Sequence, residues 1–193
     1  EWISGRVDEV DALPYRAAAE KAEASFEAKF WHEGRGHYLD TADPNDASLR
    51  PNQVIAMALP FTPCDTVHAA RALAVVQREL LTPIGLRTLG RNEPGYRPRF
   101  EGDMGSRDSA YHQGTVWPWL LGSFATALVR HGADVREARK SLRSAISMLW
   151  EYGLGGVAEV YDGDPPHRPG GCPWQAWSVA EILRAWEEDC GGD

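Results

Sequence analysis

The chain has 193 residues, of which 43% are hydrophobic and 25% charged, and its formal net charge is −8. Such a chain is long enough for one globular domain with a hydrophobic core. The excess of acidic residues argues against nucleic acid and anionic membranes as main partners, and it is compatible with a neutral substrate such as a sugar. No apolar run approaches the length of a membrane-spanning helix, so we expect no such segment.

The cysteines indicate a chain without metal sites or disulfides. Cys64, Cys172 and Cys190 are far apart, and no C-x-x-C pair occurs. This spacing predicts neither a zinc site nor a disulfide framework, and it is typical of a protein of the reducing cytoplasm. We expect no metal and no cofactor. Because the sequence begins at Glu1 rather than Met, we also expect a piece of a longer protein.

The first half of the sequence predicts three helices. Apolar residues at helical spacing mark the first of them, and the Gly-containing run at 33–36 ends it. Pro51 begins the second helix and Pro60 stops it. Asp65 is the expected N-cap of the third. The predicted helices are 17–30, 52–59 and Asp65 to about Leu81, with a short extended piece at 37–39.

The second half alternates long polar segments with helices. Residues 82–113 are rich in Gly, Pro, Arg and Asp without a sustained period, so we predict an irregular, functional segment. A second Gly/Pro-rich loop, 162–173, follows a short β-prone piece at 157–161. The predicted helices of this half run from Thr115 or Val116 to His131, from Val135 to Tyr152, and from Trp174 or Gln175 to Asp189.

These elements predict an all-α protein. The sequence shows no βαβ alternation, no series of strands and no internal repeat. The loops are too long for a simple up-down bundle. Long polar loops that join helix pairs at one end would build a site at that end.

Eight tryptophans are the most informative feature of the composition. Four of them form two short clusters, Trp117 with Trp119 and Trp174 with Trp177. An indole is a favoured platform for stacking on the apolar face of a sugar ring, and it also suits a hydrophobic core. Spacing alone favours the core for any single tryptophan.

Glu159 is the candidate catalytic carboxylate. It lies on the β-prone piece between Gly and aromatic residues, and hydrolysis of a glycosidic bond needs two carboxyl groups. Spacing alone favours a surface acid on an exposed strand instead.

The other polar residues of the two loops have simpler interpretations as well. Asp162 and Asp164 are predicted to be turn residues. Arg107 and Asp108 form either a local ion pair or part of a site. His112 either bonds a sugar hydroxyl or is satisfied in the core, and it has no metal-like spacing to another His.

Three motifs follow one another along the chain. They are Arg50-Pro51-Asn52-Gln53, then Ser106-Arg107-Asp108 with Tyr111-His112-Gln113-Gly114-Thr115-Val116-Trp117-Pro118-Trp119, then Glu159-Val160-Tyr161-Asp162-Gly163 with Gly171-Cys172-Pro173-Trp174-Gln175-Ala176-Trp177-Ser178. In order and spacing, over roughly residues 45–187, they resemble the C-terminal amylo-α-1,6-glucosidase domain of prokaryotic glycogen debranching enzymes.

The resemblance implies an (α/α)6 toroid that hydrolyses an α-1,6-linked glucose of glycogen or limit dextrin with inversion. Glu159 matches the family's carboxylate near the C-terminus, the expected general base that activates water. The substrate-binding residues that the resemblance implies are Arg107, Asp108, Tyr111, His112, Gln113, Trp117, Trp174 and Gln175.

Two features depart from the family. A toroid has twelve helices, whereas this sequence predicts about six, so residues 1–193 are expected to form a single domain that is about half of a toroid. The family's general acid is an aspartate after a Thr-Trp-Met-type motif, and residues 1–5 offer no match. We therefore expect the general acid to be missing from this chain. We also expect a homo-oligomer, or association with a missing N-terminal half.

The departures leave other functions open. The chain is either a fragment of the glucosidase or a non-catalytic remnant that binds oligosaccharides. A different α-glucosidase on the same toroid is a third interpretation, because a fold does not fix a function.

Overall fold

The computed structural model describes residues 13–191, and helices make up most of its regular structure. Residues 1–5, where no acid motif is matched, therefore lie outside the described part. The α-helices are α1 Leu13–Phe30, α2 Asn52–Ala58, α3 Thr66–Glu79, α4 Met104–Ala110, α5 Leu120–Arg130, α6 Val135–Ser144 and α7 Ala176–Arg184. A 3-10 helix, Ala145–Trp150, follows α6, and a π-helical segment, Ala185–Asp189, follows α7.

Helix α5 is the centre of the hydrophobic core. Every residue from Leu120 to Leu128 is buried, so α5 is enclosed on all sides rather than amphipathic. Helices α2, α6 and α7 pack against it. Helix α3 buries one face instead, through residues at helical spacing, and its N-terminus is capped by the Asp65 carboxylate. The prediction of a mostly helical fold is confirmed.

A small antiparallel sheet joins segments that are distant in the sequence. Its strand order is β5-β6-β7-β8-β9, with β5 Leu81–Thr82, β6 Gly85–Arg87, β7 Val116–Trp117, β8 Val160–Tyr161 and β9 Pro169–Gly170. Two separate hairpins precede it, β1 Trp31–His32 with β2 His37–Tyr38, and β3 Thr41–Ala42 with β4 Asn45–Asp46. Val116 pairs with Tyr161, which brings the two long polar loops together.

The strands correct the sequence-based boundaries. The helix predicted from Thr115 or Val116 begins only at Leu120, because Val116 pairs with both Arg87 and Tyr161 as a strand residue. Residues 82–113 are not wholly irregular either, since they contain β6 and α4. The Asp103 side chain caps α4 by accepting a hydrogen bond from the Ser106 amide.

The remaining predicted helices are close to the observed ones. The helices at 17–30, 52–59 and 65–81 correspond to α1, α2 and α3, and the extended piece at 37–39 contains β2. The helix predicted from Val135 to Tyr152 is divided into α6 and the 3-10 helix, and the last predicted helix into α7 and the π-helical segment. Within residues 13–191 no helix is both long and apolar enough to cross a membrane.

Candidate active site

Glu159 lies directly before β8 and is fixed by the loop that follows β9. Its amide donates to the Cys172 carbonyl at 2.9 Å, and the Cys172 amide donates to Glu159 Oε2 at 3.0 Å. The side chain is partly exposed. The carboxylate is therefore held by the backbone and remains accessible.

Tyr111 is the second partner of this carboxylate. Its hydroxyl donates a short hydrogen bond to Glu159 Oε1. The Tyr111 carbonyl, at the end of α4, accepts from Trp117 Nε1 at 3.0 Å and from Thr115 Oγ1 at 2.6 Å. Burial, the bond to Glu159 and the charge of Asp108 all raise the pKa of Tyr111, so the hydroxyl keeps its proton and remains a donor.

Gly171 makes room for the carboxylate. Its φ is +68°, a conformation that L side chains rarely adopt. A Cβ atom there would overlap Glu159 Oε2 and would lie 3.0 Å from Glu159 Cβ. A glycine is required both by the backbone conformation and by the space that Glu159 fills.

An aromatic cavity of about 660 Å³ begins at Tyr111. It is lined by Pro51, Asn52, Thr88, Tyr111, His112, Trp117, Trp119, Leu120, Ser123, Trp177 and Glu181. Its volume falls within the range of about 300–1,000 Å³ that ligand pockets occupy. Because Tyr111 both lines the cavity and binds Glu159, the carboxylate lies beside the cavity.

His112 provides a polar edge to this cavity. Its ring stacks on Trp117 with the centroids 5.3 Å apart, and the residue is exposed rather than satisfied in the core. Burial of part of the ring, followed by the charge of Arg50, lowers the pKa of His112. The imidazole is therefore neutral at neutral pH, with one nitrogen to donate and one to accept.

Arg50 holds the loop that carries His112. Its guanidinium donates to the carbonyls of His112 at 2.8 Å and Thr88 at 3.2 Å, and to Gln113 Oε1 at 3.1 Å. Asp40 pairs with it at 3.4 Å. Arg50 therefore stabilises the loop that carries His112, and the Gln113 side chain takes part in the same hydrogen-bond network.

Four of the predicted site residues lie together, namely Glu159, Tyr111, His112 and Trp117. Arg107 and Asp108 are exposed on α4, and within residues 13–191 no ion pair joins them. Trp174 Nε1 donates to the Gly153 carbonyl at 2.8 Å, and 63% of the residue is exposed. The backbone amide of Gln175 donates to the Val157 carbonyl at 2.9 Å, which fixes the start of α7.

Asp162 and Asp164 do more than form turns. Asp162 is buried and accepts hydrogen bonds from the Phe100 amide at 2.8 Å, from Arg168 at 2.9 Å and from Arg99 at 3.1 Å. Asp164 pairs with Arg91 at 2.7 Å. The prediction of a turn agrees with the structure at Asp164, whose carbonyl accepts from the His167 amide at 3.0 Å, but it missed that both carboxylates also join the two long loops.

Several cavity residues did not emerge from the sequence. Trp177 and Glu181 lie four residues apart on α7 and therefore share a face, a spacing that the sequence already contains. Ser123 carries no comparable signal, because its position at the cavity depends on how α5 packs, whereas Asn52 belongs to the first of the three motifs. No group of three or more His, Cys, Asp or Glu side chains in the described residues could hold a metal ion.

Comparisons with known proteins place this arrangement in a family. Residues 3–184 match the family model described as amylo-alpha-1,6-glucosidase. The glycogen debranching enzyme of Saccharomyces cerevisiae (strain ATCC 204508 / S288c) is 29% identical over 192 residues, an alignment that covers 86% of this chain and 12% of the yeast protein. This chain therefore spans only a small part of that relative.

Solved structures resemble the fold. A GH63 mannosylglycerate hydrolase from Thermus thermophilus superposes with a TM-score of 0.63 at 18% identity, covering 86% of this chain and 36% of that chain. Neutral trehalase from Saccharomyces cerevisiae gives a TM-score of 0.61 at 14% identity, covering 86% of this chain and 28% of that chain. Both belong to (α/α)6 toroid families, so the described helices form part of such a toroid.

Proposed function

The chain belongs to the amylo-alpha-1,6-glucosidase family of glycoside hydrolases, and from this premise we propose that it hydrolyses α-1,6-linked glucose of glycogen limit dextrin with inversion. Glu159 acts as the general base. Residues 1–193 form a single domain, the C-terminal part of the glucosidase domain.

The observation that carries the proposal is the double anchoring of the Glu159 carboxylate beside the aromatic cavity. Both of its partners, the Tyr111 hydroxyl and the Cys172 amide, are donors, so neither bond requires a proton on the carboxyl group. The side chain is partly exposed, which leaves room for a water molecule. A fixed, accessible carboxylate is what an inverting hydrolase uses to take a proton from the attacking water.

The reaction then proceeds in one displacement. Glu159 removes a proton from water as the water oxygen attacks the anomeric carbon, and the bond to the leaving oxygen breaks on the opposite face. A second carboxyl group protonates that oxygen. The carboxyl groups of an inverting pair are about 6.5–9.5 Å apart, and we propose that the general acid comes from outside residues 1–193.

The sugar ring is proposed to lie against the exposed His112 ring and the Tyr111 ring, which pack on Trp117, a core residue that is only 5% exposed. A neutral imidazole can both accept from and donate to sugar hydroxyls. Gln113, Trp174 and Gln175, together with Arg107 and Asp108, are proposed as further substrate contacts. Their positions in the family motif support this assignment.

A partner polypeptide is proposed to complete the toroid, either a second copy of this chain or a preceding N-terminal half. Large apolar side chains support this, since Ile146, Trp150, Leu154 and Leu183 are each more than half exposed. Light scattering measures the mass in solution. A strictly monomeric chain would count against self-association.

The proposed function is tested by glucose release from a limit dextrin, and this and every other activity assay is made on the chain assembled with the polypeptide that supplies the general acid. Glu159→Gln keeps the shape of the side chain and removes its basicity, so we expect release to fall by several orders of magnitude. Glu187→Gln, at an exposed glutamate in the π-helical segment, is the matched control and should behave like the unchanged chain. Activity that survives Glu159→Gln would refute the role of Glu159, and sugar binding without turnover would favour a non-catalytic binding module.

A further inference from the structure

We propose that Trp119 and Trp177 form a second sugar subsite, which binds the α-glucan chain that carries the branch glucose. The inference builds on the proposed function, because it takes the ring beside His112 and Tyr111 as the glucose to be released. It adds a role for residues that the family motif does not single out as substrate contacts.

A series of ring contacts leads from the carboxylate to this subsite. The Tyr111 ring, bonded to Glu159, lies 4.8 Å from Trp117. Trp177 lies 6.3 Å from Trp117 and 6.4 Å from Trp119. The last two indoles are therefore further along the same cavity wall, two and three contacts beyond Tyr111, where the rest of a bound oligosaccharide would lie.

Trp177 presents its indole to solvent, whereas Trp119 packs partly against the hydrophobic core. Half of Trp177 is exposed, although it sits in the first turn of α7, and Trp119 is partly buried. An exposed large aromatic side chain in a cavity is a surface for a ligand with an apolar face and polar edges. A pyranose ring has these properties.

The polar groups beside the indoles suit sugar hydroxyls. In the part of the chain that the structure describes, the Ser123 hydroxyl lines the cavity without a hydrogen-bond partner. The Glu181 carboxylate is held by Arg184 at 3.0 and 3.1 Å, and its oxygens retain lone pairs for further donors. Asn52 donates to Asp40, which leaves its side-chain carbonyl to accept from a ligand.

The subsite is rigid because its two helices are in very close contact. A Cβ atom on Gly122 of α5 would lie 2.5 Å from the Glu181 carbonyl oxygen and 2.8 Å from Glu181 Cβ. Glycine at this point lets α7 approach α5, which fixes Trp177 and Glu181 relative to Ser123. A preorganised surface of this kind binds a ligand with little loss of side-chain entropy.

Calorimetric titration of the 193-residue chain with glucose and with maltotetraose tests the subsite. We expect maltotetraose to bind about tenfold more tightly than glucose, a ratio that corresponds to about 1.4 kcal/mol and lies below the cost of about 2 kcal/mol or more that marks a binding hot spot, a class in which tryptophan is enriched. Trp177→Ala should reduce that ratio to about twofold and leave glucose affinity unchanged. Phe61→Ala, at an aromatic residue that is 79% exposed and outside the cavity lining, is the control and should retain the full ratio.

The possible results separate the subsite from the proposed function. If glucose binds but the ratio is near one, or if Trp177→Ala retains the ratio, the subsite is refuted and the glucose site stands. If the unchanged chain binds neither sugar, the proposed function fails and the subsite with it. Should circular dichroism show that Trp177→Ala is unfolded, Ser123→Ala replaces it, and an undiminished ratio in that variant would overturn the inference.

Discussion

Gly171→Ala tests whether Gly171 sets the position of Glu159, apart from its effect on the stability of the loop. The substitution adds one methyl group at a backbone φ of +68°, where it overlaps Glu159 Oε2. Either the carboxylate moves or the loop moves, and in both cases the hydrogen bond from the neighbouring Cys172 amide is lost or lengthened. We expect a modest loss of stability and a large loss of activity.

The loss of stability follows from the backbone conformation, and the loss of activity follows from the displacement of the carboxylate. The left-handed conformation of an L residue costs about 1–2 kcal/mol, and each 1 kcal/mol lowers the melting temperature of a chain of this size by about 2–4 °C. Displacement of a catalytic group by about 1 Å lowers the rate by roughly a hundredfold. Glucose release should therefore fall about a hundredfold in a chain that is still folded at the assay temperature.

Gly132→Ala is the matched control. Gly132 has a φ of +85°, and no heavy atom lies within 4 Å of the Cβ that alanine would add. The control therefore carries the same backbone strain without a clash. Thermal unfolding and glucose release are measured on both variants. Equal activity losses in the two variants, or full activity in Gly171→Ala, would show that Gly171 does not set the position of Glu159.

Three further changes test other parts of the structure. Tyr111→Phe removes one hydrogen bond to Glu159, so kcat for glucose release should fall about ten- to a hundredfold while KM changes little; an equal effect on KM would contradict a positioning role. Asp162→Ala leaves the part-buried Phe100 amide and two partly exposed arginines without their acceptor, and urea titration should show a loss of about 1–3 kcal/mol in the free energy of unfolding. Hydrogen bonds, first of all from Arg71, lower the pKa of Glu33 from 4.5 to about 2, so this group stabilises the fold above pH 4.5 and the contribution disappears as the pH falls towards 2. Between those pH values the free energy of unfolding should depend less on pH for Glu33→Gln than for the unchanged chain. Equal dependence on pH in the two proteins would refute the pairing of Glu33 with Arg71.

Local signals explain which helices could be predicted from the sequence. Asp65 accepts from two amides at the start of α3, and Pro60 follows the end of α2. The strands have no such signal, since each contains two or three residues and the partners of β7 are distant in the chain. Val116 pairs with Tyr161 through contacts that only the packed molecule creates, so its local sequence alone favours a helix.

The motifs name candidate site residues, whereas the contacts between those residues could not be predicted from the sequence. Glu159 and Tyr111 both lie in recognisable motifs, yet the bond between them joins positions 48 residues apart. At Asp162 the local sequence predicts too simple a role. Its Gly- and Pro-rich surroundings indicate a turn, whereas Arg99 and Arg168 reach it only after the loops have folded together.

Most charged groups in these loops stabilise the scaffold, and this distinguishes Glu159 from them. Backbone amides and carbonyls of a loop without secondary structure still need hydrogen-bond partners. Arg50 donates to a loop carbonyl, and Asp162 accepts from a loop amide. Asp164 pairs with an arginine as well. Within residues 13–191 Glu159 has no ion pair, and its partners are a hydroxyl and an amide. The Glu159 carboxylate is therefore not part of the ion pairs that hold the two loops together, and it stays partly exposed beside the cavity.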